Sequence, residues 1–136
     1  MTEVLTLQTV DAKGVLVEVT LRLGDPGSAQ LELVDQGAIF EARGDDYLDC
    51  LMLTREHLEA DERLLCCQGA QPDVWPSGLL RQFSNGRQAY LLDRERQGEP
   101  VVVDIFAPAD PTTVVSIIVQ RDAVLAFHGL PRPQDS

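Results

Sequence analysis

The sequence predicts an α+β fold: an antiparallel sheet of about five to seven strands with two helices, near 46–60 and 112–128. Three observations predict it. Val15, Val17, Val19, Leu21 and Leu23 alternate with Leu16, Glu18, Thr20 and Arg22, the period of two of a strand with one dry and one mostly wet face. Two longer stretches carry apolar residues at helical spacing: Tyr47, Leu48, Leu51 and Leu58, then Val115, Ile118, Val119, Val124 and Phe127. The length, 136 residues, fits one core.

Each element follows in order. Residues 4–10 are apolar and Thr-rich, and Asp11-Ala12-Lys13-Gly14 supplies a turn into the alternating strand. Gly24-Asp25-Pro26-Gly27 ends that strand. Leu31 and Leu33 begin the next, with Gln30 and Glu32 outward, and Gln36-Gly37 turns the chain into 38–43. A four-stranded antiparallel meander is the simplest topology. Asp45 or Asp46 caps the first helix, whose outer face carries Asp49, Glu56, Glu59 and, close to its end, Glu62. A short strand at 63–68 and a loop rich in Gly, Pro, Ser and Asn at 69–87 come next. Two more strands, 88–93 and 101–106, are joined by the polar turn 94–99. Pro108 and Pro111 lead into the last helix. Residues 1–130 form a single domain, and 131–136 a frayed tail.

Composition narrows the function. A domain of this size buries roughly 68% of its unfolded surface and needs no staple. No apolar run approaches the ~18 residues of a membrane span. The start, Met1-Thr2-Glu3, is neither basic nor followed by a continuous apolar region, so a cytoplasmic protein without a signal peptide is expected. Cys50, Cys66 and Cys67 are odd in number and lack a C-x-x-C spacing. At least one of the adjacent pair is expected in the core, where cysteine acts as a small hydrophobe.

Charge is more informative. The net charge is −11, and residues 1–62 hold 14 acids against 4 bases, whereas residues 63–136 hold 8 against 7. Phosphate recognition needs a basic footprint, so nucleic acid is excluded as a partner and a basic protein surface fits better. The bland alternative is solubility alone.

Candidate chemistry is sparse. Asp45-Asp46-Tyr47-Leu48-Asp49 has the D-D-x-x-D spacing that holds magnesium and pyrophosphate in isoprenoid synthases, but those are large and all-helical. Acids in a first helical turn are expected from the helix dipole alone. Ser77, in Trp75-Pro76-Ser77-Gly78, is not in a G-x-S-x-G elbow. Neither His57 nor His128 is linked to it in sequence. No His or Cys spacing fits zinc, so neither metal nor cofactor is expected. Ser84-Asn85-Gly86-Arg87 lacks the phosphate-loop pattern and reads as a tight turn.

Gly69-Ala70-Gln71-Pro72-Asp73-Val74-Trp75-Pro76-Ser77-Gly78-Leu79, with Gln88-Ala89-Tyr90 and Val103-Asp104-Ile105-Phe106, is the most distinctive part of the chain. It resembles small bacterial proteins that share a G-A-x-x-D-V-x-P-S-G-M core, a glycine-rich turn, K-A-Y and a V-D-I-F strand. This chain departs from them at Leu79, at Ser84-Asn85 and at Gln88. Some of these proteins look like immunity partners of secreted polymorphic toxins, including Rhs-type effectors of type VI secretion. The resemblance implies a non-enzymatic binder that occludes a cognate toxin. The expected contact residues are Asp45, Asp46, Asp49, Glu56 and Glu59 on the acidic helix, with Asp73 and Trp75 on the loop. Structural roles compete at the loop: Trp75 as a core anchor, Asp73 as a turn cap, Pro76 and Gly78 as a sharp turn. Two other functions remain open, a regulatory module binding a small ligand around 69–87 and a small hydrolase using Ser77 with a histidine.

Overall fold

The alternation of the first 43 residues becomes a sheet. A computed structural model of the chain describes residues 3–24, 29–93, 95, 98 and 100–130. Strands β1 (Glu3–Asp11), β2 (Leu16–Leu23), β3 (Gln30–Asp35) and β4 (Ala38–Arg43) form the expected meander, and β5 (Arg63–Leu65) adds to the far side of β1. The order is β4-β3-β2-β1-β5, all antiparallel. Leu7 pairs with Val19, Leu21 with Leu33, and Leu33 with Phe40, which puts one apolar row on the inner face. Asp11 Oδ1 accepts the amides of Lys13 and Val15, closing the first turn. The expected turn at Gly24-Asp25-Pro26-Gly27 falls mostly outside the described residues.

Helix α1 (Tyr47–Glu59) crosses this inner face. Asp46 is its N-cap, in extended conformation, and its side chain accepts the Asp49 amide. Leu48, Leu51 and Leu58 are fully buried. Each contributes about 1.5–3 kcal/mol relative to exposure, so truncating Leu51 would loosen the helix from the sheet.

Past β5 the sequence reading and the structure diverge. The expected strand at 63–68 stops at Leu65, and Cys66 and Cys67, both buried, continue into a 3-10 turn at Gln68–Ala70. The expected loop at 69–87 holds strand β6 (Val74–Trp75) and helix α2 (Gly78–Phe83). Helix α2 was invisible to periodicity because it is short and buries no residue. Its N-cap is Ser77, whose hydroxyl accepts the Leu80 amide at 3.0 Å. Strands β7 (Gln88–Leu91) and β8 (Val102–Asp104) complete a second sheet, ordered β6-β7-β8, rather than extending the first. The turn expected at 94–99 and the tail at 131–136 lie largely or wholly outside the described residues.

The last helix, α3, spans Ile117–Phe127, five residues later than expected at its start. Asp110 ties Thr112 and Thr113 into a turn, the Val115 amide bonds Ala70 O, and Ser116 then caps the helix by accepting the Val119 amide. The α+β class stands, with a five-stranded antiparallel sheet, a three-stranded sheet and three helices among the described residues. No helix among the described residues is long and apolar enough to cross a membrane.

Two glycines are required by close approach. A Cβ on Gly69 would meet Leu51 Cδ2 at 2.6 Å, and one on Gly86 would meet Asp46 Cγ at 2.7 Å, where φ is also +76°. Both sit where the second half of the chain presses against α1.

Candidate functional site

The acids at the start of α1 are partly consumed within the molecule. Arg81, from α2, places Nε 2.6 Å from Asp46 Oδ2 and Nη2 2.7 Å from Asp49 Oδ1. Burial pushes the Asp46 carboxyl up, but bonds from Arg81 and the Asp49 and Leu48 amides, with the attraction of Arg81, hold it below its ordinary value. The two carboxylates that the D-D-x-x-D spacing brings together therefore grip an arginine. Asp45 is exposed, donates its amide to Asp49 Oδ2, and makes no ion pair among the described residues.

Glu59 also turns inward. Its carboxylate accepts the Ile117 amide at 3.1 Å, at the positive end of α3, and lies 3.8 Å from Arg55 Nε. The expectation that it lies on the outer face beside Glu56 is corrected on this point, because α3 covers it. Glu56 itself is exposed. Asp73 is exposed and does not cap a turn: its carbonyl, not its carboxylate, accepts the Leu92 amide. Trp75 is half-buried against the core rather than inside it.

Trp75 lines an apolar cleft of about 330 Å³, together with Met52 of α1 and Ile117, Val124 and Leu125 of α3. Gln120 closes the cleft with every polar atom engaged. Its Nε2 donates to Gly69 O, Gln71 O and Val74 O at 2.9, 2.9 and 3.0 Å, and its Oε1 accepts from Arg55. Arg55, 1% exposed, also donates to Gly69 O at 3.1 Å and Val115 O at 3.0 Å. Burial pulls its pKa down, opposed by nearby Cys67 and Glu59. A second, shallower groove beside the cleft is lined by Arg43, Asp45, Asp49, Met52, Leu53 and Glu56. Met52 lines both, so the two adjoin along α1.

Sequence reasoning missed Arg55, Gln120 and Met52. The signal for the first two was present. Arg55 follows Leu51 by four and precedes Leu58 by three, and Gln120 has the same relation to Ile117 and Val124 in reverse. A polar residue on an apolar helical face is buried with partners or not buried at all.

The near-neutral second half supplies the counterions for the acidic first half. Arg63 bonds Asp35 at 2.5 Å and the Thr9 hydroxyl at 2.7 Å. Arg87 bonds Glu3 at 2.7 Å and Asp104 at 3.0 Å, and lies over the Tyr47 and Phe106 rings. The turn at Ser84–Arg87 is the tight one expected, with Asn85 O accepting the Tyr47 amide.

The candidate nucleophile and bases are dispersed. Ser77 caps α2, His57 stacks on Phe40 at 4.1 Å, and His128 caps the C-terminus of α3. No hydrogen bond joins Ser77 to either histidine among the described residues. All three thiols are buried, and burial pushes Cys67 up to about 12. No group of three or more metal-ligating side chains occurs among the described residues. No family model matches the sequence, and no curated protein matches it.

Proposed function

We propose that this chain is a binding protein that neutralises a basic protein partner by occluding it, the role of an immunity partner to a secreted toxin. The motif resemblance supplies the toxin, and the charge distribution carries the binding chemistry. Arg63, Arg81 and Arg87 are each spent on carboxylates of this chain, and Arg121 lies 3.4 Å from its neighbour Asp122. Among the described residues, a molecule of net charge −11 offers outward acids such as Asp45, Glu56 and Asp73, and its outward cations are Lys13, Arg22, Arg43 and Arg121. Such a field steers a basic partner and repels an acidic one.

Co-expression with the product of the adjacent open reading frame tests this. Rescue of growth together with co-purification supports the reading, and a harmless neighbour that does not bind overturns it. A second reading, a small-ligand module, is favoured by the cleft volume, which lies in the range of small-molecule sites. A metabolite that raises the melting midpoint saturably, with no protein partner recovered, would establish it instead.

A further inference from the structure

We infer that the docking surface is the cleft between α1, β6 and α3 joined to the acidic groove along α1, and that it takes a partner segment carrying a bulky apolar side chain flanked by lysine or arginine. This rests on the proposed binding of a basic protein and adds where that protein is gripped. Met52 stands between two chemistries. On one side of it lie Trp75, Ile117, Val124 and Leu125, an apolar wall with no free polar atom on Gln120 to satisfy a polar guest. On the other lie Asp45 and Glu56, exposed carboxylates with no ion pair among the described residues, beside Leu53 and an Arg43 whose guanidinium is already paired with Glu41.

The occupant follows from those two chemistries. An apolar anchor gains by leaving water for the Trp75–Met52 wall, and half-buried aromatics of this kind are where binding energy concentrates. Cations next to the anchor meet Asp45 and Glu56, whereas an acidic segment meets uncompensated repulsion. The surface is also directional. The α3 rim offers Arg121, so the partner's cations lie toward α1.

Trp75 is the chain's one tryptophan, so its emission reports on the cleft directly. The probe is a tryptophan-free peptide of alternating Lys-Lys and Leu-Leu pairs, set against a twin with Glu for Lys. The lysine peptide is expected to shift Trp75 emission to shorter wavelength saturably, and the glutamate twin to leave it unchanged. Leu125→Lys at the cleft rim, and Asp45→Lys with Glu56→Lys on the acidic edge, should each weaken the lysine peptide by roughly tenfold or more. The double variant lies on exposed positions and keeps the test valid if Leu125→Lys misfolds. Equal response to both peptides, no shift with either, or wild-type affinity in the folded variants overturns the inference. The same variants in the co-expression assay separate the two proposals. If the wild type fails to rescue while the peptide result holds, the immunity reading falls and the docking surface stands. If wild type and double variant rescue equally, the location is wrong and the immunity reading stands.

Discussion

In residues 3–65 the sheet and α1 bury Leu7, Leu21, Leu23, Leu31, Leu33, Leu48, Leu51 and Leu58 in one apolar cluster. In residues 66–130, α2 buries nothing and α3 buries only Gln120 and Val124. The second half does contribute Ala89, Ile105 and Phe106 to the shared core, but its helices are attached by polar pins. Arg55–Gln120 and Glu59 hold α3, Arg81 holds α2 to the start of α1, and Arg87 ties the approach to β7 onto β1 and β8. Apolar burial is non-directional and tolerates adjustment, whereas a pin works only while every partner stays in place. The cleft is left open because α3 is pinned rather than packed.

The largest test of this contrast is Arg55→Ala. It leaves Val115 O and Gln120 Oε1 without their donor and takes one of two donors from Gly69 O, and a cost of about 3–5 kcal/mol is expected in urea unfolding. That matches Leu33→Ala in the sheet, where about 2–5 kcal/mol is expected from lost burial and cavity. A cost near that of a surface substitution would show that α3 is held by something other than its pins.

Trp75→Ala sharpens the comparison from the cleft side. A fully buried aromatic cut to alanine costs about 3–5 kcal/mol, but half-burial here reduces the expectation to about 1–2 kcal/mol. Loss of partner binding should exceed that loss of stability. A stability cost at the full value with binding intact would return Trp75 to a purely architectural role.

Acid probes the α2 pin. The Asp46 carboxyl is held below its ordinary value of 3.8, so the stability it adds is fully present above that value and is lost as pH falls through the lower folded value. Asp46→Asn keeps a capping oxygen but removes the charge facing Arg81. It should lower stability at neutral pH by on the order of 1 kcal/mol and flatten the decline below about pH 4. Melting midpoints of both proteins across the acid range measure this, and parallel curves would mean that the pin adds nothing to stability.

The smallest effect on stability is expected from the outward acids. Asp45→Lys with Glu56→Lys should leave the melting midpoint in place, yet slow association with a basic partner by roughly tenfold at low salt and reduce its salt dependence. Glu59→Lys belongs to a different class, because it sets a cation against Arg55 and the positive end of α3. It should destabilise at any ionic strength.

Sequence alone determined the four-stranded meander and α1 with a cap at Asp45 or Asp46, between which the structure selects Asp46. Strand alternation and helix capping are local, so neighbouring residues carry the whole signal. It also established the surplus of acid and its place in the first half. Only the tertiary structure decided which acids face out. Arg81 is 32 residues from Asp49, Gln120 is 65 from Arg55, and Ile117 is 58 from Glu59. No local pattern encodes such pairings, because a charged side chain is chosen by whichever partner the fold brings within reach. The cleft belongs to the same class, because it arises where α1 of the first half meets β6 and α3 of the second.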